Sequence, residues 1–164
     1  MNADLRKPVP LQVHPENIAN ELKSTNQWVC WNYERRGDRW TKVPYRPDGR
    51  PASSNNPLTF TTFEDCFQAY REGLFDGIGF VTTGDDPFVL IDLDHVMPQD
   101  APMPAWAKEI VNVAIREGAY VETSVGGDGI HIIGKGPQGF KGRKANQIEI
   151  YASGRFFTIT GETP

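Results

Sequence analysis

The sequence predicts an α+β fold, two layers of helix on sheet with a largely antiparallel second half. Three observations carry that prediction. Apolar runs of four to six residues recur along the chain, helical spacing is confined to a few short stretches, and 16 glycines and 13 prolines punctuate the intervals. With 164 residues and 38% hydrophobic content, the chain can bury a core. It leaves no room for a second full domain, since typical domains run to about 100–150 residues.

Residues 15–23 open on Pro15 and set Ile18 and Leu22 one turn apart, which predicts a short helix packing as an N-terminal support. Trp28-Val-Cys-Trp-Asn-Tyr33 and Arg39-Trp-Thr-Lys-Val43 are β-rich runs on either side of Arg36-Gly-Asp38, the pattern of a hairpin. Residues 44–57, rich in Pro, Ser, Asn and Gly, read as a loop. Thr61-x-x-Glu64 resembles a capping box opening a helix with Phe63 and Phe67 inward, and Gly77 closes that stretch. The apolar runs 78–82 and 88–93 flank Gly84-Asp-Asp-Pro87, whose turn chemistry predicts adjacent strands. Residues 104–117 carry Trp106, Ile110, Val111, Ala114 and Ile115 at helical spacing, with Gly118 as the stop, so this helix covers one sheet face. Residues 120–123, 130–133, 148–151 and 156–159 read as four further strands with short, glycine-rich connections.

A net charge of −4 excludes a general attraction to polyanions, so nucleic-acid contact must come from a local basic patch or a bound metal. One such patch is residues 35–50, where Arg35, Arg36, Arg39, Lys42, Arg46 and Arg50 stand beside the tryptophans and tyrosines of residues 28–45. Cys30 and Cys66 fit neither a disulfide framework nor a paired zinc motif, and read as buried structural thiols. No apolar run approaches the ~20 residues of a membrane span, and the first ten residues lack a signal peptide's apolar core. A soluble, cytoplasmic protein is expected.

The sharpest chemical feature is Val89-Leu-Ile-Asp92-Leu-Asp94-His95, an apolar strand carrying two acids at i and i+2, hence on one sheet face. Two like charges side by side are costly unless a cation neutralises them, and hard oxygen ligands favour Mg²⁺ or Mn²⁺. The bland alternative is a solvated strand end. A second feature is Thr123-Ser-Val-Gly-Gly-Asp-Gly-Ile-His131: its glycines let backbone N–H groups approach an anion, and Ser124 and His131 can bond phosphate oxygens. Alone, such a loop is as readily a tight turn. A third is Gln147-Ile-Glu149-Ile-Tyr151, which adds a carboxylate of the kind that two ions bridging a phosphoryl displacement need. The basic residues Lys135, Lys141, Arg143, Lys144 and Arg155 surround it in sequence.

In order and strand context, Asp92-Leu-Asp94, Gly129-Ile-His131 and Ile148-Glu149 resemble the acid-x-acid, small-x-His and apolar-acid motifs of the archaeo-eukaryotic primase superfamily. More narrowly, Asp86-Pro-Phe-Val, Ile91-Asp-Leu-Asp-His95, residues 124–131 and Glu149-Ile-Tyr-Ala-Ser-Gly-Arg-Phe-Phe-Thr-Ile-Thr-Gly161 resemble the primase-polymerases of phages and plasmids. Lys42-Val-Pro44 and Ala52-Ser-Ser-Asn-Asn-Pro57 fit that group's N-terminal pattern. The resemblance covers residues 28–161, with 1–27 as the support of a single 164-residue catalytic domain. It implies a two-layer α/β primase-polymerase core with an RRM-like, largely antiparallel sheet, acting as a template-dependent DNA/RNA polymerase that joins nucleotides to a 3′-hydroxyl.

The same resemblance implies that Asp92, Asp94 and Glu149 are catalytic and hold two Mg²⁺ or Mn²⁺ ions. Ser124, Gly126, Asp128, Gly129, His131, Lys42 and Arg155 would bind the NTP or dNTP. Arg35, Arg36, Arg46, Lys141, Arg143 and Lys144 would meet DNA template and primer. A monomer is expected, and the helical and helicase domains of longer relatives, which would be its partners, lie outside these residues. Two positions depart from the pattern: Gly129 stands where many relatives have Ser, and Glu149 where Asp is commoner. Neither removes a ligand type. Two other readings compete. Asp92-Leu-Asp94-His-Val96 also fits the nucleophile motif of haloacid dehalogenase-type phosphatases, although no adjacent acidic pair follows it and the motif falls late in the chain. The third reading is a catalytically silent nucleic-acid-binding replication accessory domain, against which the intact acids argue.

Overall fold

In the computed structural model, which describes residues 5–137 and 141–164, the strand-forming runs assemble into two antiparallel sheets rather than one. The chain passes through α1 (Asn20–Lys23), β1 (Trp28–Arg36), β2 (Arg39–Tyr45), α2 (Phe63–Arg71), β3 (Gly77–Thr83), β4 (Phe88–Leu93) and α3 (Ala105–Arg116). It continues through β5 (Tyr120–Thr123), β6 (Ile130–Lys135), β7 (Arg143–Ala145), β8 (Ile148–Tyr151) and β9 (Ser153–Ile159). The first sheet has the order β2-β1-β3-β9, the second β5-β6-β4-β8-β7. The protein is therefore α+β, with few helices and antiparallel pairing throughout the described strands.

Period-two alternation decides which residues meet. Trp28 and Cys30, Ile78 and Phe80, and Phe157 and Ile159 share one face of the first sheet. There they pack with Phe63, Cys66 and Ala69 of α2 and with Leu90 and Ile133 of the second sheet. Trp28 anchors this cluster, its ring edge-on to Phe63 and Phe80 at 5.1 and 5.5 Å, with its indole N–H donating to the Leu22 carbonyl at 2.9 Å. The opposite face of the second sheet presents Leu93, Ile130 and Ile132 to Ala107 and Val111 of α3.

Several expectations need correction. The runs around residues 84–87 do not form adjacent strands: β3 lies in the first sheet and β4 at the centre of the second. The cause is Asp86, whose carboxylate accepts from the backbone of Thr83 and Phe88, the Thr83 hydroxyl and the Gln27 amide at 2.8–3.0 Å. Bonds that a hairpin would use are taken by this side chain, and the chain leaves one sheet for the other. β9 likewise pairs with β3, not with its sequence neighbour β8. The cap of α2 is Thr62, which accepts from Asp65 N–H at 3.1 Å, because the Thr61 backbone is already paired with Trp28. That helix ends at Arg71, before Gly73 at φ 79°, and Gly77 opens β3 instead of closing the helix. Residues 15–23 split into a 3-10 turn, Pro15–Asn17, and α1, separated at the extended Ile18. On α3, Trp106 and Ile115 remain 38% and 58% exposed, outside the core-facing stripe. No helix among the described residues is long and apolar enough to cross a membrane.

Cys30 and Cys66 are both buried, with the Cys30 thiol 3.7 Å from the Cys66 carbonyl. Interaction with Cys30, together with burial, pushes the Cys66 thiol far above its ordinary range. Neither thiol should react with a colorimetric disulfide reagent near pH 8, where a free thiol of pKa about 8.5 reacts readily. Both should react after denaturation. A fast-reacting thiol in the native protein would contradict this core.

Candidate active site

Because β4 runs through the middle of its sheet, its residues from Leu90 to Leu93 have a neighbour on both sides. Asp92 lies opposite His131 of β6 and Glu149 of β8; one strand further out, Glu122 lies opposite His131 and Lys144 opposite Glu149. Directly opposed residues of antiparallel strands share a face. Lys144, Glu149, Asp92, His131 and Glu122 thus form one polar row across five strands. The next row on that face, Tyr151, Leu90, Ile133 and Tyr120, turns into the core between the sheets. A cleft of about 220 Å³ opens over Asp92, His131 and Glu149, walled by Lys42 of β2, Tyr151, and Arg155, Phe156, Phe157 and Thr158 of β9. Asp94 stands one residue beyond β4, its N–H still donating to the Gln147 carbonyl at 2.8 Å.

The electrostatics of the row follow from crowding. Burial raises the Asp92 carboxyl above its usual range, the negative charges of Asp94 and Glu149 add to that, and His131 and Lys42 oppose it. Lys42 is lowered by the protein packed around it, against the pull of Asp92, Asp94 and Asp128, although much of its side chain remains in contact with solvent. Glu149 is neutralised locally: Lys144 Nζ lies 2.5 Å from one oxygen and the Tyr151 hydroxyl donates to the other. Arg155 sits over the Tyr151 ring, 4.7 Å from its centre. His131 is nearly buried, stacked on Phe157 at 4.4 Å between centroids. Its Nδ1 lies 3.1 Å from both a Glu122 oxygen and the Thr158 carbonyl, and its Nε2 lies 3.7 Å from Asp92.

The glycine loop flanks the acids. Ser124 and Gly129 close it, with Ser124 N–H donating to the Gly129 carbonyl at 2.9 Å and Gly129 N–H to the Ser124 hydroxyl at 3.1 Å. Gly126 is exposed at its tip, and Asp128 is paired with His95 at 2.5 Å, which raises the His95 imidazole. The remaining basic candidates lie elsewhere. Arg35 and Arg36 are exposed at the end of the β1–β2 hairpin. Arg46 lines a separate hollow with Arg50, Asp65 and Glu72. Lys141 and Arg143 are exposed at and just before the edge strand β7. Glu122 and the Thr158 carbonyl escaped the sequence reading. The one available signal was an acid at residue 122 within an apolar strand, on the same face as Tyr120.

The donor chemistry of Asp92, Asp94 and Glu149 suits a hard divalent cation, and the raised Asp92 carboxyl marks the uncompensated charge such an ion would relieve. As the side chains stand, though, no group of three or more His, Cys, Asp or Glu among the described residues is close enough to hold an ion. Glu149 is turned to Lys144 instead.

Two outcomes follow from this geometry. A raised carboxyl binds its proton more tightly in the fold than in the unfolded chain, so Asp92 costs stability as pH rises through the ordinary carboxylate range, and nothing once both states are protonated. In chelator-treated buffer near neutral pH, Asp92→Asn should melt at or above the wild-type temperature, and a clear drop would contradict the crowding. Gly129→Ala should lose about 1–3 kcal/mol in urea denaturation. Its Cβ would stand 2.8 Å from the Leu93 carbonyl oxygen and 3.0 Å from the Ser124 hydroxyl.

No family model matches the sequence. A DNA primase-polymerase from Nitratiruptor phage NrS-1 is 39% identical over 144 residues, which cover 83% of this chain and 19% of that protein. The chain therefore spans about a fifth of the curated relative's length. Identity of that order over that share of the chain makes it a member of the phage primase-polymerase family.

Proposed function

We propose that this chain is the nucleotidyl-transfer core of a primase-polymerase, joining NTPs or dNTPs to the 3′-hydroxyl of a primer on a DNA template. The observation that carries this reading is the polar row itself: carboxylates on two neighbouring strands, with a third just past the strand end, ringed by His131, Lys42, Lys144 and Arg155. An acidic centre inside a basic rim is what a triphosphate with its counter-ions requires. Asp92, Asp94 and Glu149 would hold two Mg²⁺ or Mn²⁺ ions, which when bound neutralise the triphosphate and sharpen the 3′-hydroxyl as a nucleophile. His131 would contact a phosphate oxygen through Nε2. Lys42 and Arg155 would grip the triphosphate from the cleft wall, and Ser124, Gly126, Asp128 and Gly129 would border it. The strand of nucleic acid would pass over Lys144, Lys141 and Arg143, with Arg35, Arg36 and Arg46 on the far flank. A helicase or helical domain would be the partner that supports initiation.

One observation favours a second reading, a silent nucleic-acid-binding module: Glu149 is already neutralised by Lys144 and Tyr151. Primer extension with each nucleotide set and Mg²⁺ or Mn²⁺ separates the two. Asp92→Asn and Asp94→Asn should cut extension on the order of 100-fold or more while remaining folded. Lys42→Ala and His131→Ala should raise KM for the nucleotide, each losing a charge-assisted contact of roughly 1.5–3 kcal/mol. Wild-type-like extension by Asp92→Asn would refute the metal assignment. A wild-type protein inert with every nucleotide and template would favour the silent module.

A further inference from the structure

Glu122 is a carboxylate with no solvent contact, in a place where a charge must be justified by its partners. One oxygen, Oε2, accepts from the backbone N–H groups of Thr160 and Gly161 at 2.8 Å each and from the Tyr120 hydroxyl at 2.6 Å. The other, Oε1, is spent on His131 Nδ1 at 3.1 Å. The Thr158 carbonyl lies at the same distance from that nitrogen and can only accept. Nδ1 must therefore carry a proton, and Nε2 is the atom left to face Asp92 and the cleft. Phe157 stacked on the ring blocks the alternative of turning it over.

We propose that Glu122 is a positioning residue for His131: it holds a proton on Nδ1 and fixes the ring so that Nε2 is turned into the cleft toward the incoming nucleotide. The proposal rests on the nucleotide-binding reading of the cleft and adds to it a buried residue that touches neither substrate nor metal. The physical logic is that of carboxylates behind ligating histidines, where a partner on one ring nitrogen fixes what the other can do. Glu122 is suited to that task because Oε2 is immobilised by three donors. Its second oxygen has one position available, and His131 occupies it.

Glu122→Gln tests this with almost no change of shape. The three donors at Oε2 require an acceptor, so the amide oxygen takes that place and the amide NH₂ is set against Nδ1, donor against donor. Nitrogen NMR of His131 in the wild-type protein should show Nδ1 protonated, and in the variant an Nδ1 without its proton or a displaced ring. KM for the nucleotide should rise on the order of 10- to 100-fold, as when the partner of a ligating histidine is removed, with a smaller change in kcat. In a His131→Ala background the same substitution should add no further loss, since its effect passes through the ring. An unprotonated Nδ1 in the wild type overturns the proposal even if the variant fails to fold. Full additivity of the two substitutions, or an unchanged KM in a folded variant, overturns it as well. A wild-type protein that shows the Nδ1 proton yet extends no primer instead removes the polymerase reading and leaves the positioning claim standing.

Discussion

A half-buried carboxylate on the central strand of a sheet has to be compensated from its neighbours, and the architecture around Asp92 answers that demand. Its side chain is 23% exposed, with Glu149 directly across on one side and Asp94 two residues on. Hydration alone is insufficient there, and pairing is costly unless each partner is itself satisfied. Compensation comes from all directions: His131 from the next strand, Lys42 from the other sheet, and Lys144 through Glu149 from the edge. Removing any one of them leaves the remaining charges worse placed. This is why the row is a network and not a list of contacts.

The two-sheet arrangement makes that compensation possible. A single sheet could carry the acids but would offer nothing above them except solvent. Packing β9 against β3, with the Leu90 and Ile133 row sealing the space between the sheets, brings Arg155, Phe157 and the Thr158 carbonyl over β4 and β6. The cluster around Trp28 and the seat of α3 are then what keep the two walls at a fixed separation. The site borrows its rigidity from residues that never touch it.

Much of this was legible in the sequence, because alternation reports which face a residue occupies. The strand placement of Asp92, His131 and Glu149 and the stop of α3 before Gly118 follow from local pattern, whereas Asp94, expected on the same strand, falls one residue past its end. Pairing partners are a different matter. Nothing in the run 78–82 says that its neighbour is 153–159 and not 88–93; that choice is made by the Asp86 carboxylate, whose four hydrogen bonds are visible only in three dimensions. Glu122 was hidden for the same reason. An acid in an apolar strand reads as a solvated position until Thr160 and Gly161, from the far end of the chain, are seen to converge on it with Tyr120 of its own strand. Thr62, one residue past the anticipated cap, was displaced by a non-local bridge between Thr61 and Trp28.

The passage from β8 to β9 is a single bend at Ala152, after which the chain enters the other sheet. Gly154, at φ 67°, is pinned there: its carbonyl accepts from the Ser54 hydroxyl at 2.9 Å, and an added Cβ would strike Asn55 at 2.7 Å. The loop of small polar residues before α2 is thus a clamp on an elbow. One uninterrupted ribbon carries Glu149 on its upper arm and Arg155, Phe157 and Thr158 on its forearm. Part of the acidic half of the cleft is thus tied to part of its basic half by covalent geometry as well as by the packing of the two sheets. A one-residue insertion in the elbow would invert every side chain of the forearm while leaving the upper arm untouched, so this short segment can tolerate substitution far more readily than any change in its length.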